Sequence, residues 1–253
     1  MSDDNRICRA LRQGDREALV SLWTRVFGDP AELVEAFFDL LPEMGSGAVA
    51  EENGRVLGAA YLIDGFTLLS PNTAPKKCGY LYAVAVEEQF RGKGLGAQLS
   101  QAAASIGKAR GTEVLCTLPA EPSLYKWYAS VLSLYYVNHR TLYFSPATPP
   151  AKPLSAEEYG RRREELLTGT EHVCLSPAAL AFQQKLCSCY GGGFYAAGDA
   201  IFCAYREDDG WRIAELLGTR SPEGWEGLRA EEVPYLCFDR QMAERLVWNL
   251  SFE

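Results

Sequence analysis

Apolar and polar positions along this chain follow two rhythms, and their order predicts a mixed α and β fold. Ile7 to Leu11 reads as a first strand. Leu19, Leu22, Trp23, Val26 and Phe27 recur at the spacing that gathers apolar side chains on one helix face. Asp29-Pro30 reads as the N-cap and first residue of a second helix, with Leu33, Val34, Phe37, Phe38 and Leu41 on its buried side. Ala48-Val49-Ala50 and Val56 to Tyr61 flank Asn53-Gly54, a two-residue hairpin signature. Asp64 to Lys77 reads as a loop that would help wall a pocket. Leu81 to Val86 is an apolar strand, followed by a helix on which Leu95, Leu99, Ala102 and Ile106 share a face. Past Gly111 come a short strand, Val114 to Leu118, then Pro119 and a helix containing Leu124-Tyr125-Lys126-Trp127-Tyr128.

The chemistry concentrates between that apolar strand and its helix. Arg91-Gly92-Lys93-Gly94-Leu95-Gly96 is a glycine-rich turn opening a helix. The free N–H groups of a first helical turn and the positive end of the helix dipole bind phosphate or pyrophosphate. Three glycines let such a ligand reach the backbone where a Cβ would collide, and Arg91 and Lys93 add positive charge. A P-loop needs G-x-x-x-x-G-K-[ST], which does not occur; Gly107-Lys108 is followed by Ala109 and lacks the upstream glycine. A dinucleotide fingerprint needs G-x-G-x-x-G, whereas Gly92, Gly94 and Gly96 are spaced G-x-G-x-G.

The stretch does match R-x-x-G-x-G, from Arg91 through Gly94 to Gly96, and here the sequence resembles the GCN5-related N-acetyltransferase (GNAT) family. The order of elements up to residue 148 is similar as well. The resemblance implies an α+β acetyltransferase fold with a mixed sheet. It implies acetyl-coenzyme A as co-substrate, its pyrophosphate on Arg91, Gly92, Lys93, Gly94, Leu95 and Gly96, and its pantetheine arm along the backbone of Val84, Ala85 and Val86. It also implies that Tyr125, where the family's Leu-Tyr pair is expected, protonates the departing thiolate; Tyr128 is the competing tyrosine. The family's Gly-Phe after this tyrosine is replaced by Ala129-Ser130-Val131, a departure at the helix end.

Direct transfer needs a neutral amine, so a base or water chain must take its proton. Backbone amides near Val84 to Val86 are placed to hold the oxyanion. Tyr80 to Val86 contains no acid; Glu87 and Glu88 follow the strand, and Tyr82 could hold a relaying water. In the family's enhanced-intracellular-survival type the terminal carboxylate enters the site, which makes Glu253 a second candidate base.

Composition narrows the frame. The 253 residues exceed one such domain and can bury an ample core. Acids outnumber bases by 33 to 25, a net charge of −8 that disfavours nucleic acid and could steer cationic amines. No apolar run approaches the length of a membrane span, and Met1 to Asn5 lacks a signal-peptide pattern, so a cytoplasmic protein is expected. Eight cysteines without a C-x-x-C, and two histidines far apart, His139 and His172, give no zinc pattern. Cys116 and Cys203 read as buried thiols. The pattern assigns no oligomeric state.

Ser145 to Pro153 is a proline-rich connector, which divides the chain into an acetyltransferase domain over 1–148 and a smaller α+β domain over 149–253. In the latter, Ser155 with Glu158 makes a capping box, Ser176-Pro177 starts another helix, and Phe194 to Ala197, Ala200 to Tyr205 and Trp211 to Leu217 are apolar segments. This helix-then-hairpin order echoes residues 29–61 and suggests a degenerate second copy without a cofactor motif. The expected function is acetyl transfer from acetyl-coenzyme A to a primary amine of a small molecule. The alternative is a catalytically silent acyl-coenzyme A-binding sensor or assembly protein.

Overall fold

The structure, a computed structural model, describes residues 6–144, 151–207, 210–218 and 228–237. Strand β1 (Arg6–Ala10) leads through a 3-10 turn into helices α1 (Arg16–Phe27) and α2 (Ala31–Met44). Three antiparallel strands follow, β2 (Gly45–Glu52), β3 (Arg55–Ser70) and β4 (Thr73–Val86), then α3 (Leu95–Ala109), β5 (Val114–Thr117), α4 (Pro122–Leu132) and β6 (Tyr135–Phe144). The remaining elements are β7 (Lys152–Leu154), α5 (Ala156–Leu167), β8 (His172–Leu175), α6 (Pro177–Cys189), β9 (Gly193–Ala197), β10 (Ala200–Glu207), β11 (Gly210–Leu217) and β12 (Leu228–Cys237). No described helix is long and apolar enough to cross a membrane.

Local chemistry explains most element ends. Asn53 and Gly54 both take positive φ, 53° and 78°, which is what a tight turn between twisted strands requires. Ser155 and Ser176 cap α5 and α6 by accepting hydrogen bonds from the N–H groups of Glu158 and Ala179. Helix α4 ends at Ser133, whose φ of 55° takes the left-handed cap conformation usually given to glycine. That serine does the stopping for which the sequence lacks the family's glycine.

Two expectations are corrected. Helix α2 starts at Ala31 with Pro30 as its N-cap, and the Asp29 carboxylate does not cap it. That carboxylate is taken up by tertiary donors described below. Asp64 to Lys77 is no loop: β3 runs on to Ser70 and β4 returns from Thr73, paired from Phe66↔Cys78 to Ser70↔Thr73. Asp64 itself is buried between Arg110 and Lys77, at 2.8 and 3.0 Å.

Among the described residues the strands form one sheet in the order β1-β2-β3-β4-β5-β12-β6-β11-β10-β9-β7, with β8 pairing β3. The late strand β12 lies between β5 and β6, so the two parts of the chain share a continuous ladder. Helices α3 and α4 cover one face, where Leu57, Leu62, Leu81, Leu95, Leu99 and Leu115 are buried together. Helices α1, α2, α5 and α6 cover the other. There Phe182 of α6 packs edge-on against Phe37 of α2, ring centroids 5.3 Å apart. Burying such aromatic surface is worth roughly 2–3 kcal/mol per ring, and it seats the later part of the chain on the earlier one.

Candidate active site

The glycine-rich turn folds as a receptacle. After β4, Glu88–Phe90 makes one 3-10 turn, Gly92 and Gly94 take φ of 73° and 79°, and Gly94 becomes the N-cap of α3. Among the described residues, no backbone hydrogen bond uses the N–H of Gly92, Lys93, Gly94, Leu95 or Gly96; the helix ladder begins with Ala97 and Gln98 donating to the Gly94 carbonyl. Five consecutive unpaired donors at a positive helix end form an anion cradle. Arg91 Nε donates to the Val86 carbonyl at 3.0 Å, tying the turn to the strand. Lys93 lies 5.4 Å from the Phe90 ring, which Arg6 and Arg55 also approach. This corner is therefore cationic on an acidic chain.

Beside the cradle the sheet forks. The parallel pair β4 and β5 is hydrogen-bonded only from Cys78↔Val114 to Tyr80↔Cys116. Beyond that, β4 is displaced by a bulge opposite Ala60, with Ala83 at a φ of 48°. A non-glycine residue there costs on the order of 1–3 kcal/mol, held by the ladder on either side. Thr117 Oγ1 donates to the Leu81 carbonyl at 2.9 Å, closing the base of the fork. Among the described residues the β5-facing edge of Val84, Ala85 and Val86 has no strand partner.

The fork opens into a cavity of about 480 Å³. Trp23 and Phe27 from α1, Tyr82 from β4, Tyr128 from α4, and Tyr190 just past α6 line it. At its rim Asp29 accepts hydrogen bonds from Trp23 Nε1 and from the Tyr190 hydroxyl, each at 2.7 Å. Among the described residues this carboxylate makes no ion pair, and Arg206 and Glu207 line the same cavity. Burial pushes the Tyr128 hydroxyl up to about 12, which keeps it protonated at neutral pH.

The structure brings Arg91 through Gly96 and Val84 through Val86 together at one end of the fork. Tyr125 is buried in the α3–α4 layer with Leu81, Leu95 and Leu99, while Leu124 and Tyr128, one helical turn apart, line the cavity. Glu87 is held between Arg25 and Arg55 and is not part of the cavity wall. Glu253 lies outside the described residues. Sequence reasoning missed Asp29 and Tyr190 as site residues, and it missed Trp127, whose ring stands about 3.5 Å from where a Cβ on Gly96 would sit. No local signal marks any of the three, since each gains its place from a distant element.

Residues 8–129 match the family model described as an acetyltransferase (GNAT) domain. The chain therefore carries a GNAT domain over just under half of its length. It is thus an acyltransferase with a coenzyme A-type co-substrate. Among solved structures, it is similar to a GCN5-related N-acetyltransferase from Kribbella flavida, with 12% identity over 94% of this chain and 72% of that one and a TM-score of 0.63. It is also similar to a putative acetyltransferase from Pyrococcus horikoshii, with 13% identity over 100% and 96% of the two chains and a TM-score of 0.62. Eis1 from Mycobacterium abscessus aligns at 15% identity over 88% of this chain and 61% of that one, with a TM-score of 0.58. These likenesses show the GNAT fold, and they extend it past the residues that the family model covers. A sequence search of curated proteins finds no match.

Proposed function

We propose that this GNAT protein transfers an acetyl group from acetyl-coenzyme A to a primary amine of a small cationic molecule. The reading is carried by one juxtaposition: the forked strand that leads to the anion cradle also opens into an aromatic cavity, whose wall includes the hydrogen-bonded carboxylate of Asp29.

In this reading the N–H groups of Gly92 to Gly96 hold the pyrophosphate, and the open edge of Val84, Ala85 and Val86 holds the pantetheine amides. Cationic groups of the acceptor are attracted by Asp29 and by the aromatic faces of Trp23 and Tyr190. One amine loses its proton to water, because Glu87 is committed to two arginines. Its nitrogen then attacks the thioester carbonyl, and a backbone N–H beside the bulge stabilises the oxyanion. As the intermediate collapses, the C–N bond is kept, the C–S bond breaks, the thiolate takes a proton from a tyrosine of α4, and the surplus proton of the acceptor nitrogen passes through water to restore that tyrosine. Tyr125 is the position that the family resemblance designates; Tyr128 is the one that lines the cavity.

Thermal melting with acetyl-coenzyme A, coenzyme A, NAD and ATP tests the cofactor. At a hundred times its dissociation constant a ligand stabilises by about 2.7 kcal/mol. Stabilisation by the coenzyme A forms alone is expected, and none with any of them would overturn the assignment. Release of free thiol with a panel of amines separates the enzyme from a silent acyl-coenzyme A binder. Tyr125→Phe and Tyr128→Phe then identify the proton donor as the variant that binds coenzyme A normally but turns over at least tenfold more slowly.

A further inference from the structure

Helix α4 carries a large aromatic ring at the surface beside the anion cradle. Trp127 is 36% exposed, whereas Tyr125 and Tyr128 on the same helix are buried. The benzo edge of its indole, Cη2 and Cζ2, stands 3.5 and 3.6 Å from the point where a Cβ on Gly96 would sit, and Val86 Cγ2 is 3.9 Å from that point. The ring therefore adjoins both the last residue of the cradle and the end of the forked strand. Tyr128 meets it edge-on, ring centroids 4.6 Å apart, which holds it in place on the helix.

Glycine at position 96 is not demanded by the protein itself. All three distances are ordinary van der Waals contacts, and Gly96 lies in the first turn of α3 without a positive φ. Alanine would fit there and would favour the helix, so the missing side chain leaves a slot between α3 and the indole. The other ring at this turn, Phe90, is already approached by Arg6, Arg55 and Lys93, at 5.6, 5.9 and 5.4 Å.

We propose that Trp127 is the platform on which the adenine of coenzyme A stacks, which makes it a determinant of selectivity for the whole cofactor over its pantetheine half. The proposal rests on the cofactor reading above, in which the arm follows the edge of Val84 to Val86 and the pyrophosphate sits on Gly92 to Gly96. A pyrophosphate ester has two ends. With the arm in the fork, the adenosine leaves on the solvent side, where the indole stands. A purine and an indole are both flat, and stacking one on the other removes apolar surface of both from water. The arm offers no such face, so the ring discriminates between the two halves of the cofactor.

The test is isothermal titration of the full chain with coenzyme A, adenosine 3′,5′-bisphosphate and 4′-phosphopantetheine, in the wild type, Trp127→Ala and Trp127→Phe. Trp127→Ala should weaken coenzyme A and the bisphosphate about tenfold and leave phosphopantetheine within about twofold. Trp127→Phe keeps a flat ring and should lose only about threefold. An exposed helix position tolerates alanine, and unchanged phosphopantetheine binding shows that cradle and fork are intact in the variants. Indole emission should change when coenzyme A or the bisphosphate binds the wild type, and that change should be absent in Trp127→Phe. Equal losses of coenzyme A and phosphopantetheine in Trp127→Ala, or an unchanged coenzyme A affinity, would overturn the proposal and leave the cofactor reading in place. A wild type that binds neither coenzyme A nor phosphopantetheine would overturn both.

Discussion

The Trp23 indole N–H donates a 2.7 Å hydrogen bond to Asp29, six residues further along the chain, and the other oxygen of that carboxylate accepts from Tyr190, 161 residues away. One aspartate thus ties the end of α1 to the segment after α6 across the mouth of the cavity. Burial, followed by the hydrogen bond to Asp29, raises the Tyr190 hydroxyl above its ordinary value, so it remains a donor throughout the physiological range.

Asp29→Ala removes the acceptor from a Trp23 ring that is only 2% exposed. The stranded indole N–H should cost about 1–3 kcal/mol, measurable by urea unfolding. Asp29→Asn keeps an acceptor and should lose less stability, yet both variants should raise KM for cationic amines about tenfold. Coenzyme A affinity should be unchanged in both. An unaltered KM would remove Asp29 from acceptor binding.

Gly94→Ala isolates the backbone requirement of the cradle. No atom lies within 4 Å of a Cβ at this position, so the cost is conformational and follows from the φ of +79°. A loss of about 1–2 kcal/mol is expected, together with much weaker coenzyme A binding, because the new methyl group stands in the approach to the unpaired N–H groups. Gly14→Ala, equally free of neighbours and without a positive φ, serves as the control and should change neither quantity.

Phe182→Ala probes the seam between the earlier and later parts of the chain. Its ring touches Phe37 and also Tyr82, at 5.3 and 6.1 Å between centroids. Truncation should cost about 3–5 kcal/mol and should lower the single unfolding transition as a whole. Two separated transitions in the variant would show that this ring carries the coupling between the two parts, and an unchanged transition would remove it from the seam.

Acid should weaken the protein through Asp64. Burial pushes its carboxyl up, but hydrogen bonds from Arg110 and Lys77 outweigh burial and hold it below the ordinary 3.8. A depressed folded-state value means that the stabilisation is complete above the unfolded-state value of about 4 and is lost as pH falls through the folded one. Denaturant unfolding of the wild type should therefore show a stability loss below about pH 4. Asp64→Asn should be less stable at neutral pH and should lose less on acidification. Parallel pH curves would exclude Asp64 as a contributor.

The features legible in the sequence are those that local geometry decides. Asn53-Gly54 turns because those two residues tolerate positive φ, and Ser155 and Ser176 start helices because a serine oxygen reaches the N–H three residues on. Where long-range pairing prevailed, local signals misled. Gly65, Pro71, Asn72 and Pro75 suggest a loop, yet β3 and β4 extend through that region, and β8 adds to the ladder from Phe66↔Leu175 to Leu69↔His172. Those ladder bonds outweigh a handful of poor strand formers. Asp29 ahead of Pro30 looks like a cap, but Trp23 and Tyr190 compete for its oxygens and win.

By itself the sequence determined the anion cradle, because Arg91 through Gly96 supply its glycines, its donors and its helix start within six consecutive residues. Tertiary structure decided the cavity at the fork. The cavity wall is assembled from α1, β4, α4 and the segment after α6, and the Asp29 carboxylate joins it because Trp23 and Tyr190 hold its two oxygens. Spacing along the chain carries no record of that neighbourhood, which exists only once Phe182 has seated α6 against α2.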